Sequence, residues 1–226
     1  MADTKRKLVI FGGNGAGMIA ASIAERFYDY EILGFLNDKL DKGALVGKHK
    51  QFPVLGGIAD YADFLSLPDV DFFFAIFGMS NPAGTWQLLR SLEIPEDRFP
   101  TFIHPLAEVP DGYCKVGYGS LVCAHAVLSA DVTLAPHVCL MAGSFVGHDT
   151  SVGSFTHFAT NAVAGASNEI GSGVHMGSNS TTREFVHIGD CSMIGAGSVI
   201  LKSVDPYSVM VGNPARMIRK NGAGDA

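Results

Sequence analysis

Apolar positions follow two different rhythms along the chain. From Lys7 to about Phe102, short apolar runs alternate with amphipathic stretches: KLVIFGG, MIAASIAERF, EILGFLND, IADYADFL, DFFFAIF, TWQLLRSL and TFI. Strand-length runs separated by helix-length segments predict βαβ units around a parallel sheet. From Val116 the rhythm changes to six. Cut into hexads, residues 116–205 read VGYGSL, VCAHAV, LSADVT, LAPHVC, LMAGSF, VGHDTS, VGSFTH, FATNAV, AGASNE, IGSGVH, MGSNST, TREFVH, IGDCSM, IGAGSV and ILKSVD, fifteen units without an insertion.

The first hexad position is apolar in fourteen of the fifteen, failing only at Thr182, and the second is Gly in eight. The fifth is always Ser, Thr, Ala, Val or Asn. An α-helix cannot keep one face apolar at this period, because six residues advance the chain by ~1.67 turns. A solenoid can. If three hexads form the sides of one triangular coil of 18 residues, the first position points inward and the small fifth position fits the tight interior. The glycines are expected to supply corner conformations that other residues resist. Fifteen hexads then predict five coils, and residues 103–115 add an imperfect one, since Ile103 and Val109 are six apart but Val109 and Val116 seven. The expected domains are 1–102, a Rossmann-like parallel α/β unit, and 103–226, a parallel β-helix with a C-terminal tail.

Composition narrows the partners. A formal charge of -6 with 16 Lys+Arg spread along the chain provides no basic stripe for nucleic acid. The longest apolar run, Val70 to Met79, falls well short of the ~20 residues that span a bilayer, and the N-terminal apolar stretch is too short for a secretory signal. A cytoplasmic protein with no membrane partner is the expectation. The four cysteines, Cys114, Cys123, Cys139 and Cys191, have no metal-like spacing and read as small buried fillers in a reducing compartment.

Within the hexads, SFVGHDTSVGSFTHF places His148 at a third position, Asp149 beside it, and His157 at the sixth position of the next hexad. These positions put both histidines near the same turn of the coil. A histidine next to a carboxylate suits general base chemistry, because the acid fixes the tautomer and stabilises the imidazolium that forms. A solvated corner is the alternative for any single histidine. His175, 18 residues after His157, is expected to stack one coil above it, ~4.8 Å away. In the first half, FGGNGAG follows a strand and opens a helix, so Gly12, Gly13, Asn14, Gly15 and Ala16 form a ready anion site. Asn37 and Asp38 end the second strand, where an acidic side chain often meets a ribose. Taken alone these features also fit a nicotinamide oxidoreductase, and regular hexads alone also fit a non-catalytic scaffold.

The hexads resemble those of the hexapeptide acyltransferases, and the resemblance alone implies a left-handed coil, since crossovers are normally right-handed. The glycine loop, FLND, PVLGG at 53–57 and a following prism together are similar to the bacterial nucleotide-sugar N-acetyltransferases of the bacillosamine and perosamine type and to the sialic acid O-acetyltransferases, from about residue 7 to 220. That resemblance implies a homotrimer that uses acetyl-CoA as cosubstrate and needs no metal, acting in bacterial surface glycan or lipopolysaccharide biosynthesis. His148 would be the base, Asp149 would orient it, and His157 would help position the acyl-CoA thioester. Gly165 and Ala166 would offer backbone amides to the oxyanion. The tail VMVGNPARMIRK is similar to the family's G-x-P-A-[KR] ending and would bring Gly212, Pro214, Ala215 and Arg216 to the coenzyme, with Arg219 and Lys220 near its phosphates; a plain edge segment with solvated charges is the other account. The first domain would hold a UDP-, dTDP- or GDP-linked amino sugar. Many relatives carry His where this chain has Ala16, a departure that bears on how the acceptor is held. Acetylation of a hydroxyl instead of an amine needs the same base. The γ-class carbonic anhydrases use a similar prism with zinc, but their four-residue histidine spacing has no counterpart here. His125, His137, His175 and His187 are expected to be structural or surface residues.

Overall fold

The structure, a computed structural model, describes residues 5–79 and 81–222. Contacts divide it into two units, Met1–Ile76 with Leu88–Phe102, and Phe77–Gln87 with Ile103–Ala226.

In the first unit, β1 (Lys7–Phe11), β2 (Glu31–Leu36), β3 (Leu45–Val46), β4 (Phe52–Gly56) and β5 (Val70–Phe74) form a sheet in the order β3-β4-β2-β1-β5. Pairing is parallel except at β3, which runs antiparallel to β4. Leu8, Val9, Ile10 and Phe11 are wholly buried, as a central parallel strand requires. Asp71 interrupts the apolar run of β5 and is itself buried. Arg6 Nε and Tyr30 Oη both donate to its Oδ2 at 2.6 Å, so the charge is paired where it would otherwise be costly. Helix α1 (Ala16–Phe27) follows β1 directly, and α2 (Tyr61–Leu65) and α3 (Pro82–Ser91) flank β5 in sequence.

The second unit is a three-sided parallel β-helix whose strands are only two residues long. Each strand consists of the sixth residue of one hexad and the first of the next, as in Leu121–Val122 and Phe145–Val146. First-position side chains point inward, forming one core from Val122 to Ile200, and fifth-position residues such as Ser120, Ala126, Thr156 and Ser198 are fully buried. Thr182, the one polar first position, is buried too. Asn168, the one Asn at a fifth position, donates through Nδ2 to Thr182 Oγ1 and accepts from Val186 N at 2.9 Å. The break in the pattern is thus a satisfied buried pair.

Three details depart from the sequence reading. The second-position glycines are not there for their φ. Left-handed backbone falls on the fourth position, where fourteen consecutive hexads, Gly119 to Gly197, have φ between 55 and 72°, and ten of these residues are not glycine. The second-position glycines instead permit close approach: a Cβ on Gly147 would lie 2.6 Å from Ala166 N, and one on Gly177 2.6 Å from Ala196 N. Second, the last coil is short, because Ile188 pairs with Val204 and Met193 with Val209, steps of 16 residues where 18 is the rule. Third, TFI does not extend the first sheet; Phe102–Ile103 is the first strand of the eight-stranded face of the β-helix. That face ends in Ser208–Gly212, on which Ala215–Lys220 folds back antiparallel.

Outward-facing sixth positions give the faces different chemistry. One carries Lys115, Thr133, Ser151, Glu169 and His187; another Val127, Phe145, Val163, Thr181 and Val199; the third Leu121, Cys139, His157, His175 and Met193.

Candidate active site

The corner between the apolar and polar faces is formed by successive third and fourth hexad positions, and His148 and Asp149 occupy it together. Asp149 has φ 59°, a left-handed conformation that Asp tolerates better than most residues. That turn swings its carboxylate back to its neighbour, so that His148 Nδ1 and Asp149 Oδ2 lie 2.7 Å apart, with both side chains 59% exposed. An acid on Nδ1 leaves Nε2 as the working nitrogen of the imidazole.

One coil further on at the same corner lie Gly165 and Ala166, which the structure separates in role. The Gly165 amide donates to Thr182, both to its carbonyl at 3.2 Å and to its hydroxyl at 3.1 Å, so it is not a free donor. Gly165 is glycine because a Cβ there would meet the backbone of Arg183 at 2.7 Å. In contrast, the Ala166 N–H has no protein acceptor among the described residues, since the coil-to-coil ladder uses the amides of second, fourth and sixth positions. The Asn168–Thr182 pair, with Thr150 donating to Gly165 O at 3.1 Å, stiffens the backbone behind that amide. Residue type alone gave no sign of this, although the lone Thr at a first position marked the place.

Further along the third-position column stand Glu184 and Lys202. Lys202 and Arg216 border a depression that Leu201, Pro214 and Ala215 also line. Gly212 turns the tail at φ 105°, its amide donating to Ser198 Oγ at 3.1 Å.

His157 does not join His148. It lies on the third face, with the polar face between them, and pairs with His175 on the next coil at 5.1 Å between ring centroids, as the 18-residue spacing predicts. The Phe77 ring stands 5.1 Å from that of His157. Desolvation, with the neighbouring His175, pushes the His157 pKa down to about 4. His137 is buried between Phe155, stacked at 5.0 Å, and Tyr118, and burial likewise lowers it to about 4. His125 and His187 are exposed.

In the first unit, the glycine loop and the end of β2 do meet, but Asn37 is spent on the protein. Its Nδ2 donates to Gly12 O at 2.8 Å and its Oδ1 accepts from Lys39 N. Asp38 Oδ1 accepts from Ile58 N at 2.7 Å. Gly12, at φ 124°, comes so near β5 that a Cβ would stand 3.2 Å from Ala75 O. Gly13 carries no side chain where one would crowd Asn37, Asn14 Oδ1 accepts from Gly47 N at 3.2 Å, and Gly15 and Ala16 open α1 with no side-chain cap. Among the described residues no group of three or more His, Cys, Asp or Glu could hold a metal ion, and no helix is long and apolar enough to cross a membrane.

A parallel α/β unit followed by a hexad-built, left-handed β-helix is an architecture this chain shares with solved acetyltransferases. Residues 7–80 match the PglD N-terminal domain family. Over nearly its whole length the chain resembles the hexapeptide-repeat sugar acyltransferases. The acetyltransferase domain of PglB from Neisseria gonorrhoeae is 28% identical with a TM-score of 0.81, covering 94% of this chain and 100% of that one. The same domain has been solved with acetyl coenzyme A, at 29% identity and a TM-score of 0.80. A mutant of perosamine N-acetyltransferase from Caulobacter crescentus, solved with CoA and GDP-perosamine, shares the fold at 19% identity, a TM-score of 0.82 and coverage of 95% and 97%. Curated relatives are matched over a third of their length or less; one is the acyl-[acyl-carrier-protein]–UDP-N-acetylglucosamine O-acyltransferase of Pseudomonas savastanoi, 29% identical over 86 residues.

Proposed function

We propose that the protein is an acetyl-CoA-dependent N-acetyltransferase acting on the amino group of a nucleotide-linked amino sugar. The observation that carries this reading is the 2.7 Å His148–Asp149 hydrogen bond at an exposed corner, one coil from the unpaired Ala166 amide. His148 Nε2 removes a proton from the amine as its nitrogen attacks the thioester carbonyl, and Asp149 stabilises the imidazolium. Ala166 N–H meets the oxyanion. Collapse breaks the C–S bond, and the imidazolium returns the proton to the departing thiolate.

From His148 to Lys202 is three coils at ~4.8 Å each, about 14 Å, a span suited to an extended pantetheine arm. Lys202 and Arg216 then lie where the coenzyme's phosphates would end, over the floor formed by Pro214 and Ala215, which follow the turn at Gly212. The open N-terminus of α1 suits the diphosphate of the sugar nucleotide, and the second oxygen of Asp38 is available to its base or ribose. The face carrying Val127, Phe145, Val163 and Val199 supports a homotrimer, in which a second copy would cover these side chains and bring its His157 towards His148. Buried free Cys123, Cys139 and Cys191 agree with a cytoplasmic setting, where activated sugars for surface glycans are made.

The test is release of free thiol from acetyl-CoA with UDP-, dTDP- and GDP-linked amino sugars, run beside their hydroxy counterparts. Turnover confined to one or more amino sugars is expected. Turnover of hydroxy sugars alone refutes N-acetylation, and no thermal stabilisation by acetyl-CoA refutes the enzyme.

A further inference from the structure

Asn221 follows the reversed strand and is only 1% exposed, although every residue of that strand except Ala215 is exposed. Its backbone N–H donates to Tyr207 O at 2.7 Å, and its side-chain Nδ2 donates to Cys191 O at 2.8 Å and to Met79 O at 3.2 Å. A primary amide carries two N–H groups, and these two carbonyls take both. Cys191 and Tyr207 are left-handed corner residues of the last coils, at φ 57 and 58°. Met79 comes 142 residues before Asn221 and belongs to the segment Phe77–Gln87, which groups with the β-helix.

That segment has two attachments of different kinds. Its far end is held by apolar packing: Pro82 Cβ would lie 3.1 Å from a Cβ on Gly173, and the Trp86 ring is 6.0 Å from that of Phe155. Its near end is a tight turn, in which Met79 N donates to Phe77 O at 3.0 Å and Asn81 N to Gly78 O at 2.9 Å. Among the described residues, the bond from Asn221 is the one hydrogen bond that ties Phe77, Gly78 or Met79 to the rest of the β-helix unit. The turn sets two features of that unit. The Phe77 ring packs 5.1 Å from the His157 ring, and Phe77, Gly78 and Met79 wall a depression of about 770 Å³ that His175, Ser178 and Met193 also line.

We infer that Asn221 is a positioning residue: its amide clasps the 77–79 turn against the β-helix and so holds Phe77 on the His157 ring. Two carbonyls met at once need a group with two N–H donors, which accounts for a buried Asn at the end of an exposed strand. Aspartate has the same shape but would set a carboxylate against both carbonyl oxygens. Without the clasp the turn swings on its Pro82–Trp86 anchor, and the His157 ring loses its fixed neighbour. The kinetic consequence rests on the proposed acetyl transfer, in which His157 helps to position the donor thioester; the clasp itself does not.

The experiment compares the full chain as wild type, Asn221→Ala and Asn221→Asp by hydrogen exchange, read on peptides spanning 77–87 and, for reference, 139–165. Exchange at 77–87 should quicken about tenfold in Asn221→Ala, the value of one lost hydrogen bond, and further in Asn221→Asp, while the reference coils keep the wild-type rate. In steady-state assays both variants should raise KM for acetyl-CoA about tenfold, with kcat and the KM for the sugar nearly unchanged. Wild-type exchange at 77–87, or an unaltered KM for acetyl-CoA beside normal turnover, overturns the inference. Equally quickened exchange in the reference coils of both variants makes Asn221 merely structural and overturns it too. Locally quickened exchange in a protein that transfers no acetyl group upholds the clasp and rejects the proposed function instead.

Discussion

Replacing Gly147 by Ala tests whether the second-position glycines serve close approach between coils. The added methyl would sit 2.6 Å from Ala166 N, 2.7 Å from Gly165 C and 2.8 Å from Ala166 Cα, all backbone atoms with no rotamer to escape into. Carbon contacts relax at ~3.5–4.0 Å, so the two coils must part by roughly 1 Å at this corner. Overpacking of this kind costs about 1–3 kcal/mol, which for a chain of this size lowers Tm by about 2–12 °C. The displacement falls between His148 and Ala166, and a misplacement of about 1 Å can lower kcat on the order of 10²-fold. Gly197→Ala is the control: at φ 68° with nothing within 4 Å of its Cβ, it bears only the cost of a left-handed residue, about 1–2 kcal/mol. Thermal unfolding and kcat per folded molecule should show both variants destabilised but only Gly147→Ala catalytically impaired. Wild-type Tm and kcat for Gly147→Ala, or equal kcat losses in the two, would refute the reasoning.

Asp149→Asn keeps a side chain suited to the left-handed corner but loses the charge on His148 Nδ1, and kcat should drop by about 10² or more; unchanged single-turnover rates would remove Asp149 from the mechanism. His137, only 4% exposed, has a folded pKa of about 4 against 6.5 when free. The unfolded chain therefore takes up this proton first as pH falls, so stability is complete above pH 6.5 and lost down to about 4, by up to about 3 kcal/mol. Urea midpoints across that window should fall less steeply in His137→Phe, and identical slopes would contradict the burial argument. Arg216→Ala and Lys202→Ala should each raise KM for acetyl-CoA about tenfold at constant kcat, with a loss that shrinks at high salt; insensitivity to both would clear the tail of coenzyme binding. Thr182→Val leaves Asn168 Nδ2 without its acceptor and should cost about 1–3 kcal/mol in chemical denaturation, whereas no loss would mean that the pair is not the reason for the exception.

The column of hexads was legible because the same two positions are buried in every repeat except at Val116, which is half-buried, and Val146, Val152 and Phe158 each stand where the period places them. Backbone conformation was not, since Phe155 and Phe185 adopt left-handed φ although their side chains disfavour it. Hydrogen bonding between coils overrides the local preference. The His148–Asp149 bond could be anticipated because the two are adjacent in sequence, and the His157–His175 stack because they differ by one full coil. Asn37 and the Gly165 amide point the other way: both had the right place in sequence, yet each is engaged within the protein, and residue type cannot reveal an occupied donor. Residues Phe77–Gln87 read as part of the first half but group with the second. Their partners, such as Phe155 for Trp86 and Gly173 for Pro82, lie far away in the chain.

The reversed strand Ala215–Lys220 closes the tallest wall of the column. A stack of parallel rungs offers its last edge as a template for another stack, and polymers could grow end to end. Here that edge carries Arg216, Arg219 and Lys220, whose like charges would oppose any incoming copy. The same short hairpin that frames the Arg216 depression therefore also keeps the protein from becoming a fibre, and shaving those charges should be felt first as aggregation at high concentration.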